Sequence, residues 1–287
     1  MEGELWEMIL YPLVCELGQR YRRPGVRFSN WIIVLVYAWA VLHDRPVCWA
    51  CDPANWPEPY RPAELPSPAT MSRRLKTLSV LTFLEALASA LRDRWPHHWI
   101  KTIDAKPLPV GPYSKDPDAR WGYAGRAQAK GYKLFAICDG EPAVDAWRIG
   151  PMNESEVQNG IRLLERVDGG GYLLGDAHYD ANPIYAAAAA RGWQLLTPRQ
   201  KPGTGLGHRP QHPSRLRAIA LWPTPFGQAL YACRTSVERC FGNLVSFGGG
   251  LGPLPAWVRR PHRVATWVQM KIIINAARTA RKQQLVA

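Results

Sequence analysis

The sequence predicts an α/β fold, a mixed five-stranded sheet flanked by helices and preceded by a helical N-terminal region. Three observations lead there. Up to about residue 98, apolar residues recur at helical spacing, as in Leu5, Met8, Ile9 and Leu13. From Trp99 the pattern changes to short β-type runs. The first three of these are joined by hairpin-like connections, and the rest alternate with helical segments, which calls for both antiparallel and parallel neighbours in one sheet. The expected division is a helical region over 1–98 and a second domain over 99–287.

The first region opens with MEGELWEMILYPLV, whose early acids and missing basic segment are not the pattern of a secretory signal. Trp31 to Leu42 is the longest apolar run and is shorter than the ~20 residues of a bilayer helix, so a buried core helix and no membrane partner are expected. Prolines at 53, 57, 59, 62, 66 and 68 mark a loop. Ser67 then caps a helix with Pro68 in its first position. That short helix carries Arg73 and Arg74 and is similar to the recognition helix of a helix-turn-helix; a solvated basic face is the plain alternative. A further helix, Val80 to Trp95, stops at Pro96.

In the second region, Trp99 to Asp104 is a strand ending in an acid. A Gly/Pro/Lys-rich loop leads to the strand Tyr132–Cys138. Asp139-Gly140 supplies a hairpin turn, and Ala143–Ile149 returns. A helix starts near Asn153, with Glu156 as the far member of a capping box, and runs to about Arg166. Tyr172 to Asp176 is another strand ending in an acid. Asp180–Arg191 is a helix that Asp180 caps, and Trp193–Thr197 is the fifth strand. A basic loop from Arg199 to Arg217 follows, then two helices, about Ser236–Phe247 and Arg260–Lys282.

Composition narrows the function. The 287 residues are 47% hydrophobic, which excludes wholesale disorder. Lys and Arg number 36 against 23 acids, a net charge of +13. An excess of that size points to a polyanion, nucleic acid first. Six cysteines are too few for a disulfide scaffold and fit a cytoplasmic setting. Cys48 and Cys51 form a lone C-x2-C with no second pair, so they read as buried cysteines rather than a zinc site. Trp121 reads as core or as a base-stacking ring.

Asp104 and Asp176 both end a predicted strand, the edge where α/β sheets bind ligands. Glu238, on a helix near Thr235–Phe247, is placed to pack across that edge. Three converging carboxylates repel unless a divalent cation neutralises them, and hard oxygen donors suit Mg²⁺. Arg234 and Glu238 are i, i+4 on a helix and so lie on one face, with a surface ion pair as the plain alternative.

These residues resemble the DDE transposases of bacterial insertion sequences, which have an RNase H-like core. Three blocks carry the resemblance: Thr102-Ile103-Asp104 with Lys106 and Gly131-Tyr132-Lys133; Gly175-Asp176-Ala177-His178-Tyr179-Asp180; and Tyr231, Arg234 and Glu238, spaced Y-x2-R-x3-E. The first two acids lie 72 residues apart and the last two 62. The family pattern has a Lys seven positions after the Glu, where this chain has Val245. The resemblance implies an RNase H-like DDE catalytic domain over 99–287 and a DNA-binding region over 1–98. It implies that Asp104, Asp176 and Glu238 hold two Mg²⁺ ions, with Mn²⁺ as substitute. Metal-activated water would cut the element end and free a 3′-hydroxyl, which then attacks target DNA in line. Tyr231, Arg234, Lys133, His178, Arg73, Arg74, Arg199 and Arg239 are the expected DNA contacts. Partners would be double-stranded DNA, as terminal inverted repeats and as target, and a second copy on DNA; the setting would be nucleoid-associated. Two rivals stand beside this: a decayed transposase that binds DNA without cutting, and another RNase H-like nuclease.

Overall fold

In the computed structural model the chain forms two compact units, residues 1–95 with 243–287 and residues 96–242. Residues 2–20, 25–95, 97–125, 127–139, 143–246 and 250–284 are described. Pro96, Gly140 and Phe247, invoked above as stops and turns, lie outside them.

The helical unit holds α1 (Glu2–Leu5), a π-helical turn (Trp6–Leu10), α2 (Tyr11–Arg20), α3 (Asn30–Leu42), α4 (Val47–Ala50), α5 (Pro68–Arg74) and α6 (Leu78–Arg92). α3 is buried on nearly every side, as its uninterrupted apolar sequence requires. Trp6, Trp39 and Trp56 form an aromatic cluster, with Trp6 and Trp39 edge-on at 4.9 Å. Ser67 caps α5 as expected, accepting from the Thr70 N–H at 3.3 Å, with Pro68 in the first turn. The unit is completed from the far end of the chain. The last helix (α12 below) buries Val264, Trp267, Val268 and Ile273 and packs on α6 and α3. This corrects the expected division at residue 98. The terminal helix is too apolar to stand in water, and the partner for its face is helical. Cys48 is exposed and Cys51 partly so, which corrects their reading as buried cysteines.

The sheet unit runs β1 (Ile100–Pro109), β2 (Arg120–Ala124), β3 (Ala127–Asp139), β4 (Ala143–Pro151), α7 (Glu156–Leu164), β5 (Gly171–Leu174), a 3₁₀ turn (Ala177–Tyr179), α8 (Asn182–Ala189), β6 (Trp193–Leu196), α9 (Pro213–Leu221) and α10 (Pro225–Ala232). α11 (Thr235–Ser246) begins in this unit, and α12 (Pro261–Gln284) ends the chain. The sheet order is β4-β3-β1-β5-β6, with β2 paired to the start of β3. β1 is antiparallel to β3 and parallel to β5, and β5 is parallel to β6. This is the mixed sheet expected, with one strand more than the five. The core beneath it includes Ile103, Phe135, Ile137, Leu173, Tyr185 and Leu195.

Three local differences bear on function. β1 does not end at Asp104. Its pairing with β5 stops at Thr102–Leu174, but its pairing with β3 continues to Pro109. Asp104 therefore sits mid-strand, just past the point where the parallel neighbour has ended. α7 starts later than expected and is capped by Ser155, which accepts from the Gln158 N–H. Glu156 is thus the first helical residue, not the far member of a capping box. α9 and α10 occupy a stretch read largely as loop, each with Pro in its first turn and a capping side chain, His212 and Thr224.

Candidate active site

Asp104 is the most electrostatically perturbed of the acids. Its Oδ1 accepts from the Ala105 N–H at 2.7 Å, and its Oδ2 accepts from Arg234 Nη2 at 3.0 Å. Burial pushes its carboxyl up to about 6. The Ala105 N–H and Arg234 oppose that rise, while the charges of Asp176 and Glu156 add to it. Asp104 is therefore close enough to both acids to feel them. Asp176 follows the end of β5, and both aspartates line the same cleft.

Asp176 follows β5 and opens the 3₁₀ turn, accepting from the His178 N–H at 2.9 Å. His178 Nδ1 lies 2.9 Å from the other Asp176 oxygen. That hydrogen bond raises the imidazole above its usual range, with burial working against it. Glu156, at the start of α7, accepts from Lys133 Nζ at 2.7 Å. Ligand atoms of Glu156, Asp176 and His178 lie within 4.8 Å of one another.

The third expected acid is reached through Arg234, whose Nη1 donates to Glu238 Oε1 at 3.4 Å. Glu238 is 67% exposed, against 20% for Asp104. The Y-x2-R-x3-E residues do not share one helix. α10 ends at Ala232 and α11 begins at Thr235, so Arg234 stands in the break between them. The contact with Glu238 survives because α11 starts immediately. Tyr231 closes this side, with its ring edge-on to Trp222 at 4.6 Å. Burial raises its hydroxyl above the usual range, against Arg234, which lowers it.

Asp104, Glu156 and Asp176, but not Glu238, border an open cleft of about 800 Å³ that Lys133 and His178 also line. Trp121 and Tyr123, both exposed, line its other wall from β2. Trp121 is thus a surface ring on a strand, not a core residue.

Of the expected DNA contacts, the structure brings Lys133, His178, Tyr231 and Arg234 to the acids. Arg239 is exposed, next to Glu238 in the chain. Arg199 bonds within its own loop, donating to the Pro202 and Thr204 carbonyls. In the helical unit, Arg73 is exposed on α5, but Arg74 donates to the Phe28 carbonyl and to Asn30 Oδ1 at 2.7 Å each, tying α5 to the start of α3. Asp180 caps no helix: Ala181 stands at that position, and Asp180 accepts two 2.7 Å bonds from Arg215. Arg215 is thereby held in the fold rather than free to track a DNA backbone.

Glu156 is the site residue that sequence reasoning missed. The available signal was the strand residue Lys133, a buried cation that requires a carboxylate partner.

The donors facing the cleft are hard carboxylate oxygens with one imidazole, a set that suits Mg²⁺ or Mn²⁺. A family model described as "Transposase DDE domain" matches residues 95–251. No curated protein matches the sequence. A solved structure titled as a synaptic complex of piggyBac transposase with hairpin DNA is similar at 9% identity and a TM-score of 0.45, covering 95% of this chain and 71% of that one. Among the described residues, no helix is long and apolar enough to cross a membrane.

Proposed function

The chain belongs to the transposase DDE-domain family, and from that premise we propose that Asp104, Asp176 and Glu238 are its catalytic carboxylates. It is a DNA transposase. The proposed chemistry is Mg²⁺-dependent cleavage of element ends and joining of the freed 3′-hydroxyl to target DNA.

The observation that carries this is the single guanidinium of Arg234, which bonds Asp104 and Glu238, while Asp104 and Asp176 line one cleft. We read these contacts as three acids, distant in sequence, gathered for shared ions. Asp104, Asp176 and Glu238 would hold the ions. Held by those carboxylates, two divalent ions would supply an activated water and would stabilise the leaving oxygen of a phosphodiester. The protein's own part is positioning. The Ala105 N–H and Arg234 favour the ionised form of a half-buried Asp104. Tyr231, Arg234 and Arg239 form a polar and cationic rim for DNA phosphate, to which Arg is suited by its planar fork. Lys133 and His178 line the other side, and Arg73 and Arg199 offer further phosphate contacts. Arg74 would reach DNA only by leaving its bonds within the fold. Since joining requires two ends held together, a homodimer on DNA is part of the proposal.

The test is cleavage of DNA carrying the terminal inverted repeats that flank the gene, with Mg²⁺, by the full chain. Asp104→Asn, Asp176→Asn and Glu238→Gln should each abolish cutting and keep DNA binding. Full cleavage by any of them removes that residue from the site. Binding without cutting by the wild type would make the chain a DNA-binding protein instead.

A further inference from the structure

We infer that Glu156 and His178, together with Asp176, build a divalent-cation position whose imidazole selects Mn²⁺ over Mg²⁺. The inference deepens the reading above and rests on it, because Asp176 is shared. It adds Glu156 from α7 and His178 from the 3₁₀ turn, neither of which belongs to the Asp104–Asp176–Glu238 set.

Four observations support it. Glu156, Asp176 and His178 already present their ligand atoms within 4.8 Å of one another, a separation one ion can span. Glu156 is held for this role: Lys133 Nζ, on the long strand β3, binds its Oε1 at 2.7 Å and leaves Oε2 free of that bond. The Asp176 carboxylate is oriented by the His178 backbone N–H at 2.9 Å, so turn and ligand are built together. Finally, Tyr179 is fully buried, and its hydroxyl has no hydrogen-bond partner among the described residues. The charges of Glu156, Asp104 and Asp176 act on that hydroxyl, so it lies within electrostatic reach of the same acids. A buried hydroxyl left without a partner is costly, a cost that a water or ion held by those acids would offset.

The two sides of Asp104 and Asp176 then differ in chemistry. On the Arg234 side the added donor is the exposed carboxylate of Glu238. On the Lys133 side the added donors are a carboxylate and an imidazole. Mg²⁺ favours oxygen ligands and its own waters, whereas Mn²⁺ accepts imidazole more readily. Glu156 is the carboxylate anchor of this position, and His178 is its specificity-determining residue.

The experiment is Mn²⁺ titration of the full chain without DNA, read by loss of the free Mn²⁺ EPR signal, with Mg²⁺ as competitor. Circular dichroism confirms folding. His178 is 71% exposed, so its substitution leaves packing intact. Glu156→Gln should weaken Mn²⁺ uptake by at least roughly tenfold, a loss that even outer-shell changes produce. His178→Gln should lower the Mn²⁺-over-Mg²⁺ preference by a similar factor while Mg²⁺ affinity holds. Glu238→Gln should leave this position filled. The inference is overturned if Glu156→Gln and His178→Gln titrate as wild type while Asp176→Asn loses Mn²⁺; the reading of the aspartates then stands alone. If Asp104→Asn and Asp176→Asn also titrate as wild type, or the wild type takes up no Mn²⁺ at millimolar concentration, both readings fall.

Discussion

Arg234 Nη2 donates to Asp104 Oδ2 at 3.0 Å across 130 residues of chain. The same guanidinium reaches Glu238 through Nη1. A cation between two carboxylates offsets their repulsion and favours the ionised form of the more buried one. Removing it should be felt in how the site responds to pH.

Arg234→Ala is therefore expected to slow cleavage and to move the acid limb of the pH–rate profile upward. Burial holds the Asp104 carboxyl up at about 6 in the metal-free protein, before a divalent ion competes for it. Arg234 lowers the carboxyl, so its loss raises it and demands a higher pH for ionisation. A variant that is slow but has an unshifted limb would show that Arg234 acts only on DNA.

Asp104 also leaves a signature in stability. Its folded value of about 6 exceeds the ordinary 3.8. Between those pH values the unfolded chain has released the proton and the folded chain has kept it, so stability falls as pH rises through the window. The size is at most roughly 3 kcal/mol, from a shift of about 2 units. Thermal unfolding of Asp104→Asn without divalent ions, between pH 4 and 7, should lose this slope. Equal pH dependence in both proteins would refute it.

Asp180 carries the opposite sign. Its bidentate pair with Arg215 is largely buried, with exposures of 3% and 15%. Despite burial, the Arg215 bonds and the Gln200 N–H hold the carboxyl below its usual range. Its contribution is present above the unfolded value and lost as pH falls through the lower folded one. Asp180→Ala should cost about 2–4 kcal/mol at neutral pH, because Arg215 is left half-buried without its carboxylate. Urea midpoints measure it, and Arg215→Met in the same background should recover part of the loss.

Gly171 opens β5 at a φ of +136°, and a Cβ there would lie 2.1 Å from the Trp99 carbonyl oxygen. Strain and clash with backbone act together, so Gly171→Ala should destabilise by at least roughly 2 kcal/mol. Because β5 positions Asp176, cleavage should fall faster than DNA binding. A melting temperature within a degree of wild type would contradict this.

Much of the fold was legible because its signals are local. The uninterrupted apolar run of α3 and the Ser67-Pro68 start of α5 read directly from residue order, as did the alternation of strand and helix. Asp176 was legible as an acid just past a strand end, whereas Asp104 was legible as an acid but not in its mid-strand place. β2 was not, because its five largely exposed residues form a strand only by pairing with β3. α9 and α10 were hidden by charge and proline, although Pro213 and Pro225 sit where a helix accepts them. Glu156 imitated a capping residue, since Asn153 stands three positions before it. Its contact with Lys133 is invisible without the register that brings β3 beside α7.

By itself the sequence determined which residues are candidates for chemistry here: two aspartates, a Y-x2-R-x3-E segment and a strongly basic chain. Their identities and local periodicities are properties of neighbouring residues. The tertiary structure decided the rest. It ended β5 short of Asp104, put Arg234 in a helix break between two acids, turned Glu156 into the cleft and joined the final helix to the first six. Each of these depends on where one element stops against another, and such ends are set by packing and strand register between segments far apart in the chain.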